Sequence, residues 1–362
     1  MSARWMFVLV LAAGACTAPD RGTEQPTGTD TALRQRAAAV FDVIPATPPD
    51  LPDNELTPER VDLGKKLYFD PRLSASWLIS CNTCHNLGLG GVDMMTTSIG
   101  HGWQRGPRNA PTVLNAVYNL AQFWDGRAAD LEEQAKGPVQ AAVEMSSTPA
   151  RAVETLRSIP GYAPAFAAAF PGEVDPVTFD NMASAIEAFE ATLITPNSPF
   201  DRFLSGAPAA LTPRQEEGLG LFMDVGCAAC HGGIILGGSS YQRFGAAAAP
   251  GAGLLPPEDR GRFNVTGVPS DEFVFKVPVL RNVELTAPYF HTGAVWSLNE
   301  AVEIMGRAQL GRELTPEQNA QITAFLAALT GDQPLVEYPV LPPHGSGTPL
   351  PAPEIVSPAG PH

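Results

Sequence analysis

Apolar residues recur at helical spacing along most of this chain, while strand-like alternation is scarce. From Phe179 to Leu193 the apolar positions predict an amphipathic helix. Ser297 and Glu300 read as a capping box for a short helix stopping near Gly306, and Thr315 and Gln318 as one for a helix ending near Gly331. Two segments resemble each other: "LTPERVDLGKKLYFD" over 56–70 and "LTPRQEEGLGLFMD" over 211–224. Each opens on Thr-Pro, an N-cap followed by proline at the first helical position. Each then carries a glycine ahead of an apolar triplet, Leu67-Tyr68-Phe69 or Leu221-Phe222-Met223, with the register off by one residue. The pattern predicts a mostly α chain with a duplicated unit.

Breaks in the pattern divide the chain. Thr195-Pro196-Asn197-Ser198-Pro199 reads as the boundary between two units. Arg4 precedes an apolar run from Met6 to Ala13, and Ala13-Gly14-Ala15 is a small-residue cleavage site, so residues 1–15 read as an export signal. The run is too short to span a bilayer as a helix. Cys16 follows directly, as in bacterial lipoproteins, although Ala13 stands where the usual Leu would be. Residues 17–31 read as a solvated tether, and Pro339 to His362 as an extended strap or a disordered tail. The expected organisation is a signal (1–15), a tether and lead-in (16–50), an N-terminal domain (51–194), a C-terminal domain (195–332) and a Pro/Gly-rich tail (333–362) that straps back onto the N-terminal domain.

Composition narrows the function. The formal charge of −15 disfavours nucleic acid, whose binding rests on Lys and Arg neutralising phosphates, and favours a basic or dipolar partner. Of the five cysteines, Cys16 belongs to the export signal; the others fall as Cys81, Cys84, Cys227 and Cys230, leaving none for an ordinary disulfide.

Both cysteine pairs stand in C-x-x-C-H, the attachment pattern of c-type haem. Cysteines three apart lie on one side of a helical turn and reach two vinyl groups on one porphyrin edge, while the following imidazole reaches the iron. Cys81, Cys84 and His85 would hold one haem, and Cys227, Cys230 and His231 a second. A zinc site would place its pairs far closer together, and a redox dithiol would need a thioredoxin-like context that is missing. The fold class expected is therefore mostly α, two cytochrome c-like haem domains in tandem with long loops.

Each iron needs a sixth ligand. For the second haem Met305 and Met223 both qualify, Met305 slightly ahead on its capped helix; His/Met ligation raises the potential and suits electron transfer. For the first haem Met94 and Met95 are near but read as packing residues. His101, in "SIGHGWQRG", is the better candidate, because Gly100, Gly102 and Gly106 permit a movable backbone.

At this point the chain resembles the bacterial dihaem cytochrome c peroxidases. "NLGLGGVDMMTTSIGHGWQRGPRNAPTVLNAVYNLAQFWDGRAADLEEQAKGP" is similar to the family's central region, and "KVPVLRNVELTAPYFHTGAV" and "AVEIMGRAQLG" to its C-terminal signature. The likeness runs from about Leu51 to Gln333. It implies that His85 and His101 ligate a low-potential peroxidatic haem, and His231 and Met305 a high-potential haem that receives electrons. It implies that Trp124 lies between the haems, that Glu144 is the distal acid–base residue, and that Asn109 with the carbonyls of Thr286 and Pro288 binds calcium. One departure is Ala141-Ala142, where the family often has Asn-Pro shortly before the Glu. The implied activity is reduction of hydrogen peroxide in the periplasm, with a small cytochrome c or cupredoxin as donor, in a homodimer that a lipid on Cys16 would anchor. Two other readings share the scaffold: an enzyme maturing a protein tryptophan cofactor, which carries Tyr at the Met305 position, and a non-catalytic electron-transfer cytochrome.

Overall fold

The computed structural model describes residues 28–353. The export signal, Cys16 and the end of the tail lie outside them. In chain order the helices are α1 (Gly28–Ala38), α2 (Pro58–Phe69), α3 (Cys81–Cys84), α4 (Leu131–Gln140), α5 (Pro149–Ser158) and α6 (Tyr162–Ala169). They continue as α7 (Phe179–Ala191), α8 (Pro199–Leu204), α9 (Pro213–Asp224), α10 (Phe263–Thr266), α11 (Leu298–Leu310) and α12 (Pro316–Ala327). Two three-residue strands, β1 (Tyr241–Arg243) and β2 (Val274–Lys276), pair antiparallel, Tyr241 opposite Lys276. Long loops join these elements, as a mostly α, tandem haem architecture requires.

The caps read from the sequence are built. Thr57 and Thr212 accept hydrogen bonds from the amides of Arg60 and Gln215, with Pro58 and Pro213 behind them. Thr315 and Gln318 form the full capping box of α12. Three boundaries differ from expectation. The helix begun at Ser297 runs past Gly306 to Leu310, because Gly311, not Gly306, adopts the left-handed conformation (φ 62°) that ends it. Helix α12 stops at Ala327, short of Gly331. Helix α1 begins at Gly28, inside the stretch read as tether.

The duplication is structural. A Cβ on Gly64 would lie 1.8 Å from the Ala185 carbonyl oxygen, and one on Gly218 would lie 2.0 Å from that of Gln321. These glycines let α2 press against α7 and α9 against α12, backbone on backbone. Four residues after each glycine, Tyr68 packs on Phe189 and Phe222 on Phe325, both at 5.3 Å between ring centroids. The apolar triplets therefore stand in the same register from the glycines; the one-residue offset lies between cap and glycine. Each half has its own core; Phe222 and Phe325 lie within the second, while Tyr68 and Phe189 form a smaller cluster of their own with Leu114 and Leu193. Leu63, Leu67, Leu156, Phe166 and Ile186 belong to the first, and Phe200, Leu219, Val302, Ile322 and Phe325 to the second.

A second stretch of the repeat is visible only in the fold. Asn115 and Asn282 both adopt left-handed backbone, and both side-chain amides donate to the Thr195 hydroxyl. With the same offset, Phe123 and Phe290 have φ of 66° and 68°, and the bridges Gln122–Ala128 and Tyr289–Val295 close equivalent loops. The loops lead to N-caps Asp130 and Ser297 of α4 and α11. Trp124 and His291 thus occupy equivalent places, and their rings meet at 6.1 Å. In this register Met305 of α11 corresponds to Pro138 of α4.

Beyond α12 the described tail runs extended along the first core. The Pro342 carbonyl accepts from Arg72 Nη1 at 2.7 Å, and the Ala352 amide donates to the Ala75 carbonyl at 2.7 Å.

Candidate functional site: two haem-binding centres

The two C-x-x-C-H segments follow the two glycine-bearing helices. Cys81–Cys84 make one helical turn, while Cys227–Ala229 make a 3-10 turn behind Gly226, whose φ is 107°. All four thiols are free of disulfides, and burial pushes them up, Cys84 and Cys227 to about 11. His85 Nδ1 donates to the Pro111 carbonyl at 3.0 Å and His231 Nδ1 to the Leu236 carbonyl at 3.2 Å. Each bond fixes the tautomer that keeps a lone pair on Nε2, the atom a metal would take. Burial lowers both imidazoles, His231 to about 4, so both rings are neutral near pH 7.

A cavity of about 240 Å³ opens beside His231. Cys227, Cys230 and Met305 share its lining, and Met223 does not. Trp124, Asn109, Thr286 and Pro288 line it as well, so the structure brings the candidate bridging tryptophan and the three candidate calcium residues to the same space. Trp124 Nε1 donates to the Asn109 carbonyl at 2.9 Å, and Asn109 Nδ2 donates to the Met95 carbonyl at 2.9 Å. Among the described residues, no cluster of three or more His, Cys, Asp or Glu side chains could hold a metal ion. A hard cation here would depend on amide and carbonyl oxygens plus water.

On the other side, the Cys84 thiol hydrogen-bonds with the side chain of Ser98 and feels the charge of Glu144. The His101 amide donates to the Glu144 carbonyl at 2.7 Å. Gly100 makes that contact possible: a Cβ there would lie 2.1 Å from the Val143 carbonyl oxygen. His101 is buried and its Nδ1 has no hydrogen-bond partner. Burial raises the Glu144 carboxyl above the usual carboxylate range, and the Arg127 charge pulls it partly back. Arg127 is itself held by Asp125 at 3.0 Å and stacks on Phe123 at 3.5 Å. Cys84, His101 and Glu144, distant in sequence, therefore share one locality.

The donor sets fit two unlike haems. Near the second motif stand two thiols, a neutral imidazole with Nε2 free and a thioether, around a largely apolar cavity. Near the first stand two thiols, a neutral imidazole and a buried histidine with an orphaned ring nitrogen. The repeat explains the asymmetry: where α11 offers Met305, α4 has Pro138, so any sixth ligand on the first side must come from elsewhere.

Three groups around these centres escaped the sequence reading. Arg108 joins Asp125 at 2.6 Å and Asp259 at 2.6 Å, clamping the two halves together. His291 is buried, its Nε2 without a hydrogen-bond partner, and it stacks on Phe275 at 4.2 Å. Lys276 lies buried in the cavity lining. Only Lys276 carried a signal, a lone charge in the apolar run "FVFKVPVL".

Two repeated helical units, each with a haem-binding motif directly after its glycine-bearing helix, define a dihaem protein with cytochrome c-like domains. The family model for di-haem cytochrome c peroxidase matches residues 58–209. The chain is 58% identical to cytochrome c551 peroxidase of Pseudomonas aeruginosa, over 89% of this chain and 93% of that one. It is 51% identical to cytochrome c551 peroxidase of Nitrosomonas europaea, over 85% and 91%. Among solved structures, a MauG-like protein associated with microbial copper homeostasis matches with a TM-score of 0.72 at 30% identity, covering 80% of this chain and 94% of that one. The chain belongs to the di-haem cytochrome c peroxidase family.

Proposed function

We propose that this protein reduces hydrogen peroxide to water with electrons from a small cytochrome c, and that its two centres divide the work. Each peroxide gains two electrons and two protons and leaves as two waters. When bound, the haems supply the one-electron storage and the position at which peroxide is reduced. Cys81 and Cys84, and Cys227 and Cys230, would hold them, with His85 and His231 as iron ligands. Met305 completes the receiving centre, and Trp124 stands between the two. His101 closes the peroxidatic centre until reduction of the other frees its loop, a ligand-controlled switch between two packed arrangements.

The observation that carries this reading is the placement of Glu144, a half-buried carboxyl that burial raises above the usual carboxylate range: its backbone carbonyl accepts from the His101 amide, and its charge reaches Cys84. A half-buried carboxyl beside the substrate position would take a proton from one peroxide oxygen and return it to the other, so that water departs. The Arg127 charge opposes that rise and so favours the carboxylate form a base needs. A pure electron carrier has no use for such a group. The enzyme that matures a tryptophan cofactor is disfavoured by methionine, not tyrosine, at position 305.

The family resemblance also supports a periplasmic location, a cupredoxin as alternative donor, a homodimer and a calcium ion at Asn109, Thr286 and Pro288; the export signal ahead of Cys16 supports a lipid there. The test is a stepwise reductive titration of the holoprotein followed by optical and EPR spectra, with peroxide consumption measured at each stage. The half-reduced protein should consume peroxide with reduced cytochrome c, and the oxidised His101→Gly variant should already bind cyanide. If both irons of the wild type stay six-coordinate at every stage and peroxide is untouched, the protein is an electron carrier.

A further inference from the structure

Lys276 ends β2, and its amide donates to the Trp124 carbonyl at 2.8 Å. The residue is only 7% exposed and lines the cavity that holds His231 and Met305. Among the described residues its ammonium has neither an ion-pair nor a hydrogen-bond partner. Burial pushes it down to about 8, with no opposing charge. A largely buried cation left unpaired is costly, so proteins pair such groups.

The lining shows where the missing anion belongs. No Asp or Glu lines this cavity, although the chain carries a net charge of −15. Asp125, next to Trp124 in the chain, and Asp259 are both committed to Arg108. Arg243, the other basic side chain in the lining, belongs to an exposed residue. The negative charge must therefore arrive with the occupant, and a haem carries two carboxylates on the edge opposite its vinyl groups.

We propose that Lys276 is the buried counter-cation of a carboxylate of the haem held by His231 and Met305, and that it helps set that haem's potential. The assignment rests on the dihaem reading above. Neutralising a carboxylate beside the iron favours the reduced state, which an electron-receiving centre needs. The internal repeat adds a second reason. Lys276 corresponds to Asn109, whose amide donates to the His291 carbonyl at 2.8 Å just as Lys276 donates to that of Trp124. One copy carries a candidate cation ligand at this position, and the other carries the positive charge itself.

The test is potentiometry of wild type, Lys276→Met and Lys276→Arg holoproteins at pH 7, with each haem followed by its own optical band. Lys276→Met should shift the reduction equilibrium of the Met-ligated haem about tenfold toward the oxidised form, which is about 59 mV for one electron. Lys276→Arg should restore the wild-type value, and the other haem should not move in either variant. An unchanged midpoint in Lys276→Met with full haem content overturns the proposal. So does an equal shift in the Arg and Met variants, which would mark a packing role. If Lys276→Met fails to retain haem, Lys276→Gln replaces it and the same comparison with Arg decides. Wild-type protein with one haem or none would overturn the dihaem reading instead, so the two failures are distinguishable.

Discussion

The amide of His101 donates to the carbonyl of Glu144 at 2.7 Å, so the residue proposed to close the peroxidatic centre is tied to the residue proposed to move protons there. Any motion that withdraws His101 must break this bond or carry the Glu144 loop along. Release of His101, if it is the ligand, would therefore either cost this bond or shift the proposed acid–base residue with it. The Glu144 loop is backed by the Ala75 amide, which donates to the Met145 carbonyl at 2.9 Å, and Ala75 in turn accepts from the Ala352 amide of the tail.

Gly100→Ala should separate the two loops. Its φ of −114° is not the left-handed region, and the Cβ would lie 2.1 Å from the Val143 carbonyl oxygen. The oxidised variant should show a high-spin fraction at the peroxidatic haem and should bind cyanide without prior reduction. A spectrum identical to wild type would show that the contact does not hold the centre closed.

Glu144→Gln should keep both haems and their low-spin spectra while kcat for peroxide falls by about 10²–10⁴-fold, the usual worth of a positioned acid–base group. The amide has nearly the same shape but cannot exchange the proton. Steady-state oxidation of reduced cytochrome c measures this directly.

Arg108→Met should be among the most destabilising single changes. It leaves Asp125 and Asp259, both largely buried, without their shared cation, and losing one partner of a buried pair costs about 3–5 kcal/mol. Because the clamp joins residues from both halves, the denaturation midpoint of the holoprotein should fall. Arg108→Lys, lacking the two-sided geometry of the guanidinium, should recover only part of the loss.

Glu190 gives stability a pH dependence. Burial first, and the charge of Glu187 second, raise its carboxyl to about 8 in the folded chain, against about 4.3 in an unfolded one. Between these values the native state holds the extra proton. This contribution is complete below the unfolded value and is lost as pH rises through about 8. Wild type should therefore denature at lower urea at pH 9 than at pH 6, and Glu190→Gln should narrow that gap. A gap of equal size in the variant would remove Glu190 as its source.

The order of elements was legible because its determinants are local. Thr57-Pro58, Thr212-Pro213 and the Thr315–Gln318 box act within one helical turn, and C-x-x-C-H is a spacing dictated by the cofactor. Helix ends were less legible. Gly306 looked like the stop of α11, yet whether a glycine ends a helix depends on which residue adopts left-handed backbone, and that fell to Gly311. The arrangement of the centres was legible mainly through family likeness, since nothing local joins His101 to Glu144 or Met305 to His231.

By itself the sequence determined the two haem motifs, the helices that lead into them, the duplication and the family. Only the tertiary structure decided what makes the two copies unequal. It set Met305 against Pro138 in equivalent helices, brought Trp124 onto its counterpart His291, docked Gly100 on the Glu144 loop and left Lys276 buried without an anion. The physical reason is range. Caps and motifs are written in bonds between near neighbours, whereas a missing ligand, a backbone close approach or an unpaired charge exists only relative to what the rest of the chain places around it.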